Sequence, residues 1–176
     1  MANCARRLDF LLSMKIIDDF LSDDEYQNLF SFITNNNFPW TYGKIVTDGY
    51  ELIDTEYYQF THSFYQFDLP TTYFQQVEFF REKLEMASLV RIKANLNPVT
   101  ETLQIHDDAW HNDFDNMTTA IYYLNTNNGF TKFENGDKVN SVANRMVIFD
   151  SNLKHTGTSC TDTHARLLIN FNYFPK

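Results

Sequence analysis

The chain has 176 residues, enough for one domain of ordinary size with a real core. Its formal net charge of -9 excludes a sequence-independent nucleic-acid binder, which needs clustered Lys and Arg, but leaves room for a local basic pocket. The aromatic share of 16%, including seventeen Phe and ten Tyr, favours strands and a packed interior over disorder.

Only Cys4 and Cys160 are present, which excludes a disulfide framework or a Cys-rich zinc site and points to a reducing, cytoplasmic setting. The opening MANCARRLDFLLSMKII has a basic pair and a short apolar run, without a long apolar region or a small-residue cleavage site. Residues 1–13 are therefore expected to be a loose extension, with Met14 as well as Met1 a candidate start of the folded part. No stretch approaches bilayer-spanning length, so no membrane partner is expected.

Lys15 to Phe20 (KIIDDF) predicts a short strand running into a turn. Ser22-Asp23-Asp24-Glu25 then has the capping-box pattern, and Tyr26, Leu29, Phe30 and Ile33 continue at helical spacing to the stop at Asn35-Asn36-Asn37. Trp40 to Leu69 is aromatic and polar without a clear phase, and reads as loops with irregular strands. The region from Trp40 to Tyr73 offers either a lid or peptide groove, or plain aromatic packing. A second helix is predicted from Thr71 to about Ala87. Short strands are predicted over 89–97, 102–113, 118–125, 129–133, 145–150, 154–160 and 165–174. Asn127-Asn128-Gly129 and Asn135-Gly136 serve as hairpin signals. No repeat or linker interrupts the chain, so residues 1–176 read as a single domain. Two helices followed by seven or eight strands predict a mainly β protein, a sandwich or jelly roll with the helices packed on one outer face.

The last strand is two-faced: Leu167, Ile169, Phe171 and Tyr173 make an apolar face, and Arg166, Leu168, Asn170 and Asn172 a polar one. The polar face fits a pocket lining or an exposed surface. Two H-x-D triplets precede it, His106-Asp107-Asp108 and His111-Asn112-Asp113. They start five residues apart, so on an unbroken strand only one looks inward. Leu103, Ile105 and Ala109 share parity with His111 and Asp113, which favours the second triplet; a bulge at Asp107 weakens that argument. His155 follows a predicted strand and precedes the small Thr156-Gly157-Thr158, which leaves room near a metal. Arg166 lies eleven residues further on. His62 and His164 read as ordinary packed or surface histidines. Two histidines and a carboxylate suit non-haem Fe(II) with open coordination positions, and an arginine suits a dicarboxylate co-substrate; Zn(II) with a bound water fits the same ligands.

Beyond that reading, KIIDDFLSDDEYQNLFSFI, HNDF, Ile121-Tyr122-Tyr123-Leu124-Asn125 (IYYLN), NRMVIFDSNLKH and ARLLINFNY together resemble the Fe(II)/2-oxoglutarate-dependent dioxygenases, in their prolyl 4-hydroxylase-like branch. Short members from bacteriophages and marine microbes are similar in AIYYLNTNNGFTKFENG and INFNYF. The resemblance implies a double-stranded β-helix, with His111, Asp113 and His155 as iron ligands. It implies Arg166 as the anchor of the distal carboxylate of 2-oxoglutarate, assisted by Tyr123. Asn97, before Pro98, stands where some hydroxylases carry a co-substrate-binding tyrosine. The implied reaction consumes 2-oxoglutarate and O2, hydroxylates a C–H bond, with a peptide or protein proline as candidate substrate, and releases succinate and CO2. Ascorbate is the implied auxiliary reductant, and the setting a bacterial or phage-infected cytoplasm. An Asp at 113, rather than Ala or Gly, favours hydroxylation over halogenation. The alternatives are a cupin-like metalloenzyme without 2-oxoglutarate and a non-catalytic jelly-roll module binding sugar or peptide. The sequence assigns no role to Trp40, Trp110 or Arg145.

Overall fold

The computed structural model describes residues 14–44, 58–107 and 109–176. The expected extension over 1–13, the choice between Met1 and Met14, Cys4, the stretch 45–57 and Asp108 of the first triplet lie outside the described residues. Among the described residues, no helix is long and apolar enough to cross a membrane.

Among the described residues, eleven strands form two sheets. The larger has the order β1 (Lys15–Ile17), β9 (Arg145–Asp150), β6 (Thr118–Tyr123), β11 (Ala165–Pro175), β5 (Met86–Pro98), β3 (Tyr58–Gln66), β2 (Thr41–Lys44), with β4 (Leu69–Pro70) paired to β3. The smaller has the order β10 (His155–Gly157), β7 (Phe130–Phe133), β8 (Lys138–Asn140). All named pairings are antiparallel.

The central strands are buried on both faces, so their residues divide between two cores. On one face Leu167, Ile169, Phe171, Ala120 and Tyr122 pack against Leu29 and Ile33 of α1 (Asp23–Ile33) and against Phe80. On the other, Ile121, Tyr123, Val147, Phe149 and Leu168 meet Phe133 and Val139 of the smaller sheet. Helix α1 starts as its capping box predicts: the Glu25 amide donates to Ser22 Oγ (3.4 Å) and the Ser22 amide to Glu25 Oε2 (2.9 Å). At the far edge Arg145 grips Asp18 through both carboxylate oxygens, fixing the turn after β1 to β9.

Three expectations need correction. The helix expected over Thr71–Ala87 is only a 3-10 turn (Phe74–Gln76) and one α-helical turn, α2 (Phe80–Lys83). Neither has a side-chain cap, and a short uncapped helix has little to offset its nucleation cost. Its aromatics instead find separate partners, Tyr73 on Phe32, Phe74 on Tyr65 and Phe80 on Phe171. Glu85 then takes a left-handed backbone (φ 49°) and turns the chain into β5. Second, residues 102–113 do not form a strand. They make only isolated bridges, Ile105 to Thr158 and His111 to His155. Third, the seven strands that follow α2 agree in number with the expectation but are not the same set, since β8 takes the place of a strand over 102–113. β8 has only three residues and shows no period, while β3 lies where irregular strands were expected, its alternation broken by a register shift between Ser63 and Tyr65.

Candidate metal and co-substrate site

The cavity lies between the two sheets, and its main wall is a register. Strands β5 and β11 pair Arg166 with Asn97, Leu168 with Asn95, Asn170 with Lys93 and Asn172 with Arg91. Alternate residues of a strand share a face, so these four rungs all project to one side. The cavity has a volume of about 230 Å³ and is lined by both strands, by Thr131 of β7, by His155 to Gly157 of β10 and by His106 and His111.

At one end stands Arg166, 1% exposed. Nε donates to Ser141 Oγ (2.8 Å) and Nη2 to Thr131 Oγ1 (3.0 Å), and the Tyr123 hydroxyl donates to the same Thr131 oxygen (2.8 Å). Two glycines make room for it. A Cβ on Gly129 would lie 2.7 Å from Arg166 Cδ, and one on Gly157 3.3 Å from Nη1. Within the small Thr156-Gly157-Thr158 segment, Gly157 thus gives clearance to the arginine. Gly129, read as hairpin punctuation, is instead a close-approach residue. Burial lowers the guanidinium pKa and the nearby Tyr123 opposes that. Its hydrogen-bond partners are neutral, so its positive charge remains available to a ligand.

At the other end, His111, Asp113 and His155 each offer a ligand atom, and these atoms lie within 4.8 Å of one another. His111 and His155 form a bridge pair, each amide donating to the other's carbonyl at 3.2 and 3.0 Å, which sets the rings side by side. His111 Nδ1 meets the Ala109 carbonyl (2.8 Å) and His155 Nδ1 that of Leu153 (3.3 Å). A carbonyl can only accept, so Nδ1 of each ring carries the proton and Nε2 keeps its lone pair for a metal. Asp113 is held from β5 and β11: Arg91 Nη2 donates to Oδ1, Asn172 Nδ2 to Oδ2 (3.2 Å), and Arg91 Nε to Asn172 Oδ1 (2.9 Å). Burial works to raise the Asp113 carboxyl pKa, but Arg91 and the two imidazoles outweigh it and hold the group well below the usual carboxylate range. Burial pushes His155 down to about 4, and the neighbouring His111 ring works in the same direction. The donor set is thus one ionised carboxylate and two imidazoles brought close together, which fits a divalent metal.

The sequence reading brought His111, Asp113, His155, Arg166 and Asn97 to one cavity, and the structure places all five there. Tyr123 stands behind Thr131, touching Arg166 through it and through its ring (5.5 Å to the guanidinium carbon). The argument that only one triplet looks inward is wrong, because without a continuous strand parity does not apply. His106 lines the same cavity, 6% exposed, with its pKa pushed to about 4 by burial and then by Arg166. Arg91, Lys93 and Thr131 were missed. Burial and then Arg91 lower the Lys93 pKa to about 8 while Asp113 opposes, so it stays protonated at neutral pH. His62 packs among Phe38, Phe64 and Tyr73. Trp110 receives Lys132 over its ring (5.5 Å).

Residues 93–174 match the family described as the 2OG-Fe(II) oxygenase superfamily. The chain carries a 2OG-Fe(II) oxygenase domain. It is a 2-oxoglutarate-dependent dioxygenase that uses Fe(II). Solved structures share its fold. A Pseudomonas putida prolyl-4-hydroxylase matches at 15% identity and TM-score 0.59, over 94% of each chain. A prolyl hydroxylase from Trichoplax adhaerens, in complex with a hypoxia inducible factor oxygen degradation domain peptide fragment, matches at 13% identity and TM-score 0.63, over 98% of this chain and 91% of that one. HygX from Streptomyces hygroscopicus, with nickel and 2-oxoglutarate bound, matches at 12% identity and TM-score 0.56, over 97% of this chain and 85% of that one. At these identities the likeness is one of fold, the jelly roll of this oxygenase class. No curated protein matches the chain.

Proposed function

We propose that His111, Asp113 and His155 hold the Fe(II), that Arg166 receives the distal carboxylate of 2-oxoglutarate, and that the whole chain serves as a single hydroxylase domain. The observation that carries this is the pairing of opposite needs in one cavity. One end offers a donor set for a cation, the other a buried guanidinium whose hydrogen-bond partners are all neutral. A small dicarboxylate that also chelates the metal answers both, since its far carboxylate supplies the counter-charge. Bound together, Fe(II) and 2-oxoglutarate supply the oxidising power that converts O2 and a C–H bond into an alcohol, succinate and CO2.

The chain's own residues do the rest. Ala109 and Leu153 carbonyls hold the imidazoles in the tautomer that presents Nε2. Arg91 and Asn172 keep Asp113 ionised and aimed. Thr131 links Tyr123 to Arg166, and Asn97 faces Arg166 from the neighbouring strand, both lining the co-substrate end. Buried apolar Leu168 and Ile121 exclude water between the ends. Ascorbate fits as an auxiliary reductant and a peptidyl proline as the substrate, the latter supported by the fold shared with prolyl hydroxylases, one of them solved with a peptide. A cytoplasmic setting accords with the free, buried Cys160. The cupin-like and binding-module readings leave Arg166 without a counter-charge.

The test is stoichiometric metal binding measured together with succinate release. One Fe(II) per chain is expected in the wild type, with binding and succinate release both lost in His111→Ala and His155→Ala. Full turnover in either variant contradicts the ligand assignment.

A further inference from the structure

The cavity holds more positive charge than its metal and co-substrate need. Its lining sets Arg91, Lys93 and Arg166 against the single carboxylate of Asp113. Arg91 is paired with Asp113, and a divalent metal balances a dianionic co-substrate. Two positive charges remain, inside a protein whose overall charge is -9. Arg166 is engaged at the co-substrate end. Lys93, across from Asn170 and on the rung next to Arg91, is not. Among the described residues it has no hydrogen-bond or ion-pair partner. A half-buried ammonium without a counter-ion is costly to fold around, and an arriving anion recovers that cost.

Two further groups surround it. The side-chain oxygens of Asn95 and Asn170 are buried and unpaired, while Asn95 Nδ2 is fixed by Gln59 Oε1 at 2.8 Å. The corner beside the metal ligands therefore combines one cationic donor with two open acceptors, on two adjacent inward rungs of the β5–β11 wall.

We propose that the substrate carries a carboxylate close to the carbon that is hydroxylated, held by Lys93, while Asn95 and Asn170 accept hydrogen bonds from its N–H or O–H groups. This rests on the ligand assignment above and makes Lys93 a specificity-determining residue of the same site. The carboxylate belongs either to the hydroxylated residue itself or to its neighbour in a peptide.

The probe is acetate, with acetamide as its neutral counterpart, titrated into protein loaded with diamagnetic Zn(II) and saturating 2-oxoglutarate. Backbone amide shifts in β5 and β11 are the readout. Acetate is expected to shift these amides saturably and acetamide is not; Lys93→Met weakens acetate binding at least ~10-fold, and Lys93→Arg retains it. Metal-free Lys93→Met is expected to melt no lower than the wild type, because an unpaired buried charge has been removed; a merely structural lysine would lower it. The same titration with N-acetyl-L-proline and with N-acetyl-L-glutamyl-L-prolinamide separates the two carboxylate sources. Lys93-dependent binding of either supports the proposal. Failure of acetate to bind, binding unchanged in Lys93→Met, or Lys93→Met weakening 2-oxoglutarate itself overturns it. If 2-oxoglutarate and metal fail to load at all, it is the ligand assignment that falls.

Discussion

Arg166 and Arg91 lie at opposite ends of one four-rung wall, both reaching into the same cavity, yet their surroundings differ in kind. Arg166 is wrapped in hydroxyls and given clearance by two glycines, so its position is fixed while its charge stays uncompensated. Arg91 is bonded to a carboxylate and to the amide that holds the same carboxylate, so its charge goes to the protein's own Asp113. Neutral neighbours make a cation that binds; an ionised neighbour makes one that positions.

The comparison predicts graded effects. Asp113→Ala removes a direct metal ligand and should cost more than the ~100-fold reached by outer partners of a metal ligand, with succinate release lost. Detectable wild-type metal affinity in that variant would detach Asp113 from the site. Arg166→Met should weaken 2-oxoglutarate binding by about 2–5 kcal/mol, at least ~30-fold, while leaving metal affinity nearly intact. Arg91→Met should do the opposite, lowering metal affinity ~10- to 100-fold by freeing Asp113 and leaving the distal carboxylate contact in place. Equilibrium dialysis of metal with and without 2-oxoglutarate separates the two patterns.

A smaller effect concerns pH. His106 and His155 have folded pKa values near 4, below the exposed imidazole value of 6.5. As pH falls through that window the unfolded chain takes up protons that the folded chain refuses, so metal-free protein loses stability between about pH 6.5 and 4. Melting temperature against pH should show this slope, and His106→Gln should flatten part of it; an unchanged slope would mean that His106 is charged in the fold. The smallest expected change is in Gly129→Ala, whose Cβ would meet the Ser159 carbonyl at 2.6 Å. About 1–3 kcal/mol and several degrees of melting temperature should be lost, with 2-oxoglutarate affinity falling as Arg166 shifts.

What could be read from the chain follows the same division. The face of β11 was legible because strict alternation separates Arg166, Leu168, Asn170 and Asn172 from the core residues between them. The matching alternation in β5, Arg91, Lys93, Asn95 and Asn97 against Ile92, Ala94 and Leu96, was equally present but went unread, and with it the partner of Asp113. The local structure between β5 and β6 was not legible, since its order comes from single bridges to His155, Thr158 and Cys160 and from side-chain contacts such as Thr100 and Gln104 with Ser159, which leave no period in the sequence. For the same reason His106 could not be placed by parity. The helix after Thr71 failed because apolar spacing cannot tell a continuous helix from aromatics that each pack on a different neighbour.

The most direct test of the cavity as one two-ended site is an anaerobic titration of Fe(II) and 2-oxoglutarate, following the weak visible charge-transfer band of the chelate. A band saturating at one equivalent per chain is predicted, absent in Asp113→Ala and shifted to higher 2-oxoglutarate concentration in Arg166→Met. No band in the wild type, or a band indifferent to both substitutions, would contradict the account.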